Sequence, residues 1–426
     1  MSVFSALYIA RTGMQVYEQA LQVVGDNIAN LNTIAFKSSR GIFSDIFYNT
    51  LLSGNAQIGI GSQMLSVQRL TSQGVLLGTN VATDLSVKGS GYFIVNGEGP
   101  SGVGNYYTRA GQMEIDADGF LVNPQGLRVQ GYSADADGNI LPSLGDIEIG
   151  NKSSPPKATE EVNFNLNLSA DEDIGPGFDV LDPAFTSQFS TSVTVYDSLG
   201  KAHQADVYFE KTAANEWTYH VTVDEGELQG GNPGSLSEIA TGTLTFTNDG
   251  LLDSHVQVGG TVNFADAETQ SFVFDFGSSL STGGDGKKTT QHAGQSAVEL
   301  VNQDGFASGR LQFLVFENDG TVVGTFTNGK VQAVGQVALA LFLSPGNLEG
   351  VGDNLFRDSI DSGAPAIGAP ASGGRGQIYA GTLEQSNVDL TNEFTQMIVN
   401  QRAFQASSRT IATSDEMLAE VVNLKR

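Results

Sequence analysis

Apolar side chains at Leu7, Ala10, Met14, Tyr17, Leu21, Val24, Ile28 and Leu31 recur in alternating steps of three and four. That spacing lines one face of a helix as a heptad seam. The far end of the chain repeats the device. Met397, Phe404, Ile411 and Leu418 stand seven apart, flanked by Phe394, Ile398, Val421 and Val422. This second seam is imperfect, because Gln401, Ser408 and Asp415 fall where apolar partners would be expected. The pattern predicts one amphipathic helix over 1–31 and another over 388–426. A helix of roughly 30 residues is about 45 Å long and cannot bury its stripe against itself. It needs the other helix, or other copies of the molecule.

Between the seams the period changes from helical to two. Leu85 and Val87 alternate ahead of Gly89-Ser90-Gly91 and Tyr92–Val95; Trp217, Tyr219, Val221 and Val223 alternate, as do Phe272, Phe274 and Phe276. Turns punctuate these runs at Asp116–Gly119, Asp135–Asn139, Asp197–Gly200 and Glu317–Gly320. Asp, Asn and Gly accept the positive φ of tight hairpins. Polar breaks at Ser153-Ser154-Pro155-Pro156 and over 283–297 mark boundaries. The simplest account is a nested chain. Terminal helices (1–31 and 388–426) enclose connectors (32–83 and 361–387). These enclose a discontinuous β domain (84–150 and 298–360), into which a second β domain (151–297) is inserted.

Charge sharpens this division. The 426 residues carry a formal charge of −26 and a pI of about 4.3. The stretch 151–297 holds 21 acids against six bases, more than half of the whole excess. Such a unit should face solvent. An acidic chain lacks the Lys and Arg patches that phosphate backbones and anionic membrane surfaces require, so neither nucleic acid nor membrane is an expected partner. No stretch has the length and apolarity of a membrane span. The N-terminus shows no basic region, apolar run and cleavage site of a signal peptide, so an exported form would leave by a route that reads an uncleaved end. There are no cysteines, which removes disulfides, thiol catalysis and Cys-ligated metals.

The usual chemistry is missing. His203, His220, His255 and His292 fall in the acidic unit or its boundary, without metal-ligand spacing, and read as exposed strand or loop residues. Asp135-Ala136-Asp137-Gly138 resembles the start of a calcium loop. Placing Gly138 sixth, however, puts Leu144 where a bidentate carboxylate is required, so the stretch reads as a plain turn. Gly286-Lys287-Lys288-Thr289 lacks the first glycine of a phosphate loop. No catalytic, cofactor or metal residues are assigned, and the expectation is a protein that is not an enzyme.

Both ends carry longer signatures. One is Asn27-Ile28-Ala29-Asn30-Leu31-Asn32-Thr33-Ile34-Ala35-Phe36-Lys37. The other is Ser386-Asn387-Val388-Asp389-Leu390, running on through Met397 to Phe404. With Asp84–Phe93, Tyr107–Gly111, Asn328-Gly329 and Gln336–Ala340, these resemble the bacterial flagellar rod and hook family of axial proteins over roughly two thirds of the chain. Ala35 departs from the family, which usually has Gly there; alanine carries a cost at φ > 0 that glycine does not. The chain's size and large insert match the hook-forming members rather than the shorter rod ones.

The resemblance implies a mainly β fold with long terminal α-helices, nested discontinuous β domains, and the two helices packed together as a coiled-coil-like inner layer. It implies a structural subunit that self-assembles into a curved tube, a flexible universal joint carrying torque from rod to filament. The assembly residues would be Leu7, Met14, Leu21, Val24, Ile28, Leu31, Phe394, Met397, Phe404, Ile411 and Leu418. Implied partners are many copies of the chain, the rod, the hook cap, the hook-length control and hook–filament junction proteins, and the type III export apparatus. The implied location is the flagellar hook, outside the cell. Three rivals stand beside it. A distal rod subunit would assemble straight. A secreted β-rich adhesin would explain the acidic middle but not the seams. A hydrolase would need a carboxylate cluster in a pocket.

Overall fold

A computed structural model describes residues 3–48 and 58–423. The chain divides into two compact units. Met1–Lys152, Gln312–Thr325 and Val331–Arg426 form the first; Ser153–Leu311 and Phe326–Lys330 form the second.

The first unit holds both helices, Val3–Ala29 and Leu390–Asn423, packed against each other. Its sheet is built from both halves of the chain. Arg128–Ala134 pairs on one side with Tyr92–Gly99 and on the other with Val331–Val337. Leu339–Leu341 also pairs with Tyr92–Gly99, and Leu355–Arg357 pairs with Gly102–Thr108. Tyr92, Ile94, Tyr107, Phe342 and Leu348 form a buried cluster, with Phe342 edge-on to both tyrosine rings.

The stretches read as loose connectors are more ordered than the pattern suggested. Ser39–Tyr48 and Ile58–Arg69 form a long antiparallel hairpin with two bulges, lying against the N-terminal helix. Gly61, at φ 128°, leaves room for the buried Thr12 side chain of that helix. Leu76–Gly78 pairs with Thr382–Glu384, and Leu85–Lys88 with Gln377–Ala380. Bulges and polar residues had masked the hairpin's period of two.

The second unit packs a five-stranded antiparallel meander against a three-stranded sheet. The meander runs Phe189–Tyr196, Ala202–Ala213, Glu216–Asp224, Leu236–Phe246 and Leu252–Gly259 in spatial as in chain order. In the smaller sheet Glu161–Asn167 is parallel to Val273–Asp275 and antiparallel to Ala297–Gln303. The alternating aromatics point inward: Phe164, Phe209, Trp217, Tyr219, Phe272, Phe274 and Phe276 are all buried in one cluster. Full burial of each such ring is worth about 1.5–3 kcal/mol, which gives this unit a core of its own.

Histidine departs from expectation in this unit. His203 is buried, stacked on Phe264 at 3.8 Å and held between Asp197 and Glu227 at 3.2 and 2.8 Å. His255 bonds the Tyr219 hydroxyl at 3.0 Å, and His220 lies 2.7 Å from Glu238. Only His292 is exposed. The buried ring braces the Asp197–Gly200 turn, a tertiary role that spacing along the chain cannot reveal.

Candidate assembly surfaces

Where the two helices approach, Gly13 faces Ser407, and Asn27 of one bonds Glu393 of the other. Along the N-terminal helix Ala10, Thr12, Val16, Ala20, Val24 and Asn27 are buried. Of the seam residues, Val24 is buried, while Leu7, Met14, Leu21, Ile28 and Leu31 are half-exposed. On the C-terminal helix Met397, Phe404, Ile411 and Leu418 are half-buried. Asn400 and Ser414 are the buried positions, with Ser407 half-buried between them. Gln401, Ser408 and Asp415 are all exposed. The second half of this seam therefore falls three residues after each large apolar position rather than four. Small side chains let the backbones come close: a Cβ on Gly13 would sit 3.1 Å from Ser407 Oγ. Much of the large apolar surface faces solvent instead. Phe4, Tyr8, Leu390, Phe394, Ile398, Val399, Met417 and Val422 are all exposed, and so are Phe43, Phe47, Leu65 and Val67 of the hairpin. The side chain of Val421 lies outside those described.

The two terminal signatures meet where the helices join the β body. Asn27 is buried; its Nδ2 donates to Ser39 O at 2.8 Å and to Glu393 Oε1 at 3.1 Å, while its Oδ1 accepts from Ser39 N at 2.8 Å. Asn30 Oδ1 accepts from the Thr33 hydroxyl at 3.0 Å, closing the turn that ends the helix. Ala35 has φ 58°, so the strain anticipated at this departure from glycine is present. Its N–H donates to Glu384 O at 2.7 Å. Asn387 Oδ1 accepts from Ser38 N at 2.7 Å, Asn387 Nδ2 donates to Leu70 O and Ser72 O, and Asn387 N donates to Phe36 O. Val388 N donates to Ser386 Oγ at 3.4 Å. Asp389 caps the C-terminal helix, its Oδ1 accepting from Thr391 N at 2.9 Å, so that Leu390 begins the first turn.

Beneath this junction lies a buried ion triad. Lys37 Nζ meets Glu384 Oε1 at 2.5 Å, and Arg109 Nη1 meets Glu384 Oε2 at 3.4 Å. Ser72 O accepts from Lys37, Gly74 N donates to Glu384, and Val87 O and Gly89 O accept from Arg109. Burial pulls the Lys37 ammonium below its ordinary pKa; Glu384 opposes that shift and Arg109 adds to it. Glu393 is pushed up, first by burial, with Asn27's hydrogen bond opposing and Asp389 reinforcing the shift. Lys37 was visible in the signature. Glu384 was not, because a lone acid in a polar stretch carries no periodic signal. Among the described residues no group of three His, Asp or Glu side chains could hold a metal ion, and no helix is long and apolar enough to cross a membrane.

Residues 7–37 match the family model described as flagella basal body rod protein, and 379–424 match the flagellar basal body rod FlgEFG protein C-terminal model. Residues 86–166 match the flagellar hook protein FlgE/F/G D1 domain, and 163–306 match the flagellar basal body protein FlaE D2 domain. The flagellar hook protein FlgE of Borreliella burgdorferi is 33% identical, with 99% of each chain covered. That of Salmonella typhimurium is also 33% identical, over 98% of this chain and 99% of its own. The chain belongs to the flagellar hook protein family. It is thus a structural subunit of a flagellar polymer rather than an enzyme. A crystal structure of Helicobacter pylori flagellar hook protein FlgE2 matches at TM-score 0.49 and 14% identity, covering 71% of this chain and all of that one.

Proposed function

We propose that the terminal helices of many copies form the inner layer of the hook tube, with Leu7, Met14, Leu21, Val24, Ile28, Leu31, Phe394, Met397, Phe404, Ile411 and Leu418 contributing to contacts between copies. The observation that carries this reading is the apolar surface that the helix pair leaves uncovered within one chain. Phe4, Tyr8, Phe394, Ile398, Val399 and Val422 stay exposed on the two helices. Such surface is stabilised by burial only when another copy covers it.

The resulting tube works as a curved universal joint outside the cell, carrying torque from rod to filament. Rigid β units with polar surfaces slide at low cost, because water replaces the hydrogen bonds they exchange. Its neighbours are the rod, the hook cap, the hook-length control protein and the hook–filament junction proteins. The subunit travels through the flagellar type III export apparatus.

Deleting 1–31 and 388–426 tests the assignment of the helices. The expected product is a soluble, β-rich monomer that forms no tubes. A truncated chain whose circular dichroism shows an unfolded core would contradict it.

A further inference from the structure

The hairpin of Ser39–Tyr48 and Ile58–Arg69 has no core of its own. Among the described residues, no side chain of either strand is fully buried. Phe43, Phe47, Leu65 and Val67 are exposed. Between the hairpin and the N-terminal helix, beyond the close contact of Gly61 with Thr12, lies an open cleft. It is lined mainly by polar groups, Gln15, Gln19, Gln22 and Ser62 among them. Apolar burial therefore does little to fix the direction of the hairpin.

Its direction is fixed at the root, where Lys37 and Ser38, just ahead of the first strand, are buried. Two asparagines grip that root, one from each terminal segment. Asn27 commits its whole carboxamide: Oδ1 accepts from Ser39 N, and Nδ2 donates to Ser39 O and to Glu393 of the C-terminal helix. Both backbone groups of Ser39, the first residue of the ladder, thus point at Asn27, which stands in for a neighbouring strand. Asn387 bridges the two strand ends. Its Oδ1 accepts from Ser38 N, and its Nδ2 donates to Leu70 O and Ser72 O. Arg69 adds a tie to the β body through Leu348 O. A backbone group stripped of its partner away from water costs free energy, so turning the hairpin about its root breaks several bonds at once. Asn30, in the same signature, differs: its side-chain bonds go to Asp26 and Thr33, within about one helical turn.

We infer that Asn27 and Asn387 are positioning residues for assembly: within one copy they hold the hairpin at a fixed angle to both helices, and tubes require that angle. The inference rests on the tube-forming role proposed above. Held this way, the exposed apolar side chains of the hairpin and of the helices belong to one rigid body, and a neighbouring copy meets a preformed surface. A hairpin free to swing would have to be ordered at every contact, an entropic cost that pre-organisation removes.

Trypsin reads the clamp in the full-length subunit, because Arg40 is an exposed cleavage site next to Ser39 and cleavage tracks the opened population. Asn27→Ala and Asn387→Ala are expected to speed cleavage after Arg40 about tenfold, the effect of losing one or two ordinary hydrogen bonds. Asn30→Ala should be cut at the parent rate. Tube yield by electron microscopy should fall about tenfold in the first two variants and stay at the parent level in the third. The unfolding midpoint of the second unit should be the same in all four chains. Parent cleavage rates in either Asn27→Ala or Asn387→Ala would overturn the clamp, as would equal acceleration in Asn30→Ala or a lowered second-unit midpoint. Fast cleavage with tubes at the parent yield would overturn the role in assembly. If the parent chain forms no tubes under any assembly condition, it is the tube-forming role that fails, and the cleavage rates still decide the clamp.

Discussion

Glu384 is the residue on which the junction depends. It is the one acid between two buried cations, so removing it differs from removing either partner. Glu384→Gln leaves Lys37 and Arg109 facing each other, and breaking a buried pair in this way costs about 3–5 kcal/mol. Lys37→Met leaves the Arg109–Glu384 pair balanced and should cost less than about half of that. Urea unfolding of the full chain separates the two; equal midpoints would mean the triad carries little. The same lysine gives a pH signature. Its folded pKa lies below 10.5, so the unfolded chain binds the proton more firmly between the two values. The stability it contributes therefore rises with pH across that window. Subtracting the Lys37→Met profile from the parent's isolates this rise from the tyrosines. Buried Tyr107, pushed up to about 12, pulls the other way above pH 10.

At the scale of elements, the helices were legible because their periodicity is long and uninterrupted. The strands of the second unit were legible because their aromatics alternate. The long hairpin was legible only in part, as a weak alternation over Gln63–Leu70, since its two bulges break a period of two. The inward positions of the C-terminal helix were also misjudged. Asn400, Ser407 and Ser414 are polar and carry no apolar signal, although Asn400 and Ser414 are buried and Ser407 faces Gly13 of the other helix. The signatures at both ends were readable as sequence, while their mutual hydrogen bonds through Asn27, Asn387 and Glu384 join residues more than 300 positions apart. Leu21 and Phe404, half-exposed in the single chain, give the test at this scale. Leu21→Asp or Phe404→Asp should abolish polymerisation and leave the β units folded, because a carboxylate buried between copies costs several kcal/mol by order of magnitude. Tubes of normal yield from both variants would remove the helices from the assembly surface.

For the whole molecule, the division of labour follows from where stability comes from. The second unit has its own aromatic core and needs no other copy to bury it. Removing Ser153–Leu311 and rejoining the flanks should therefore leave a chain that still enters tubes. Those tubes should be straighter or shorter-lived, since contacts between inserts are gone. Equal curvature and durability would make the insert a passive decoration, and loss of all tubes would make it part of the assembly core. The helices stand at the other extreme, with apolar surface that a single chain leaves uncovered. That contrast makes the subunit a set of self-sufficient β units joined to helices completed only by neighbours. Electron microscopy of the purified full-length chain under assembly conditions, beside Leu21→Asp, tests this most directly. The account requires curved tubes from the parent and dispersed, folded subunits from the variant. Straight rods or stable monomers from the parent, or tubes from the variant, would contradict it.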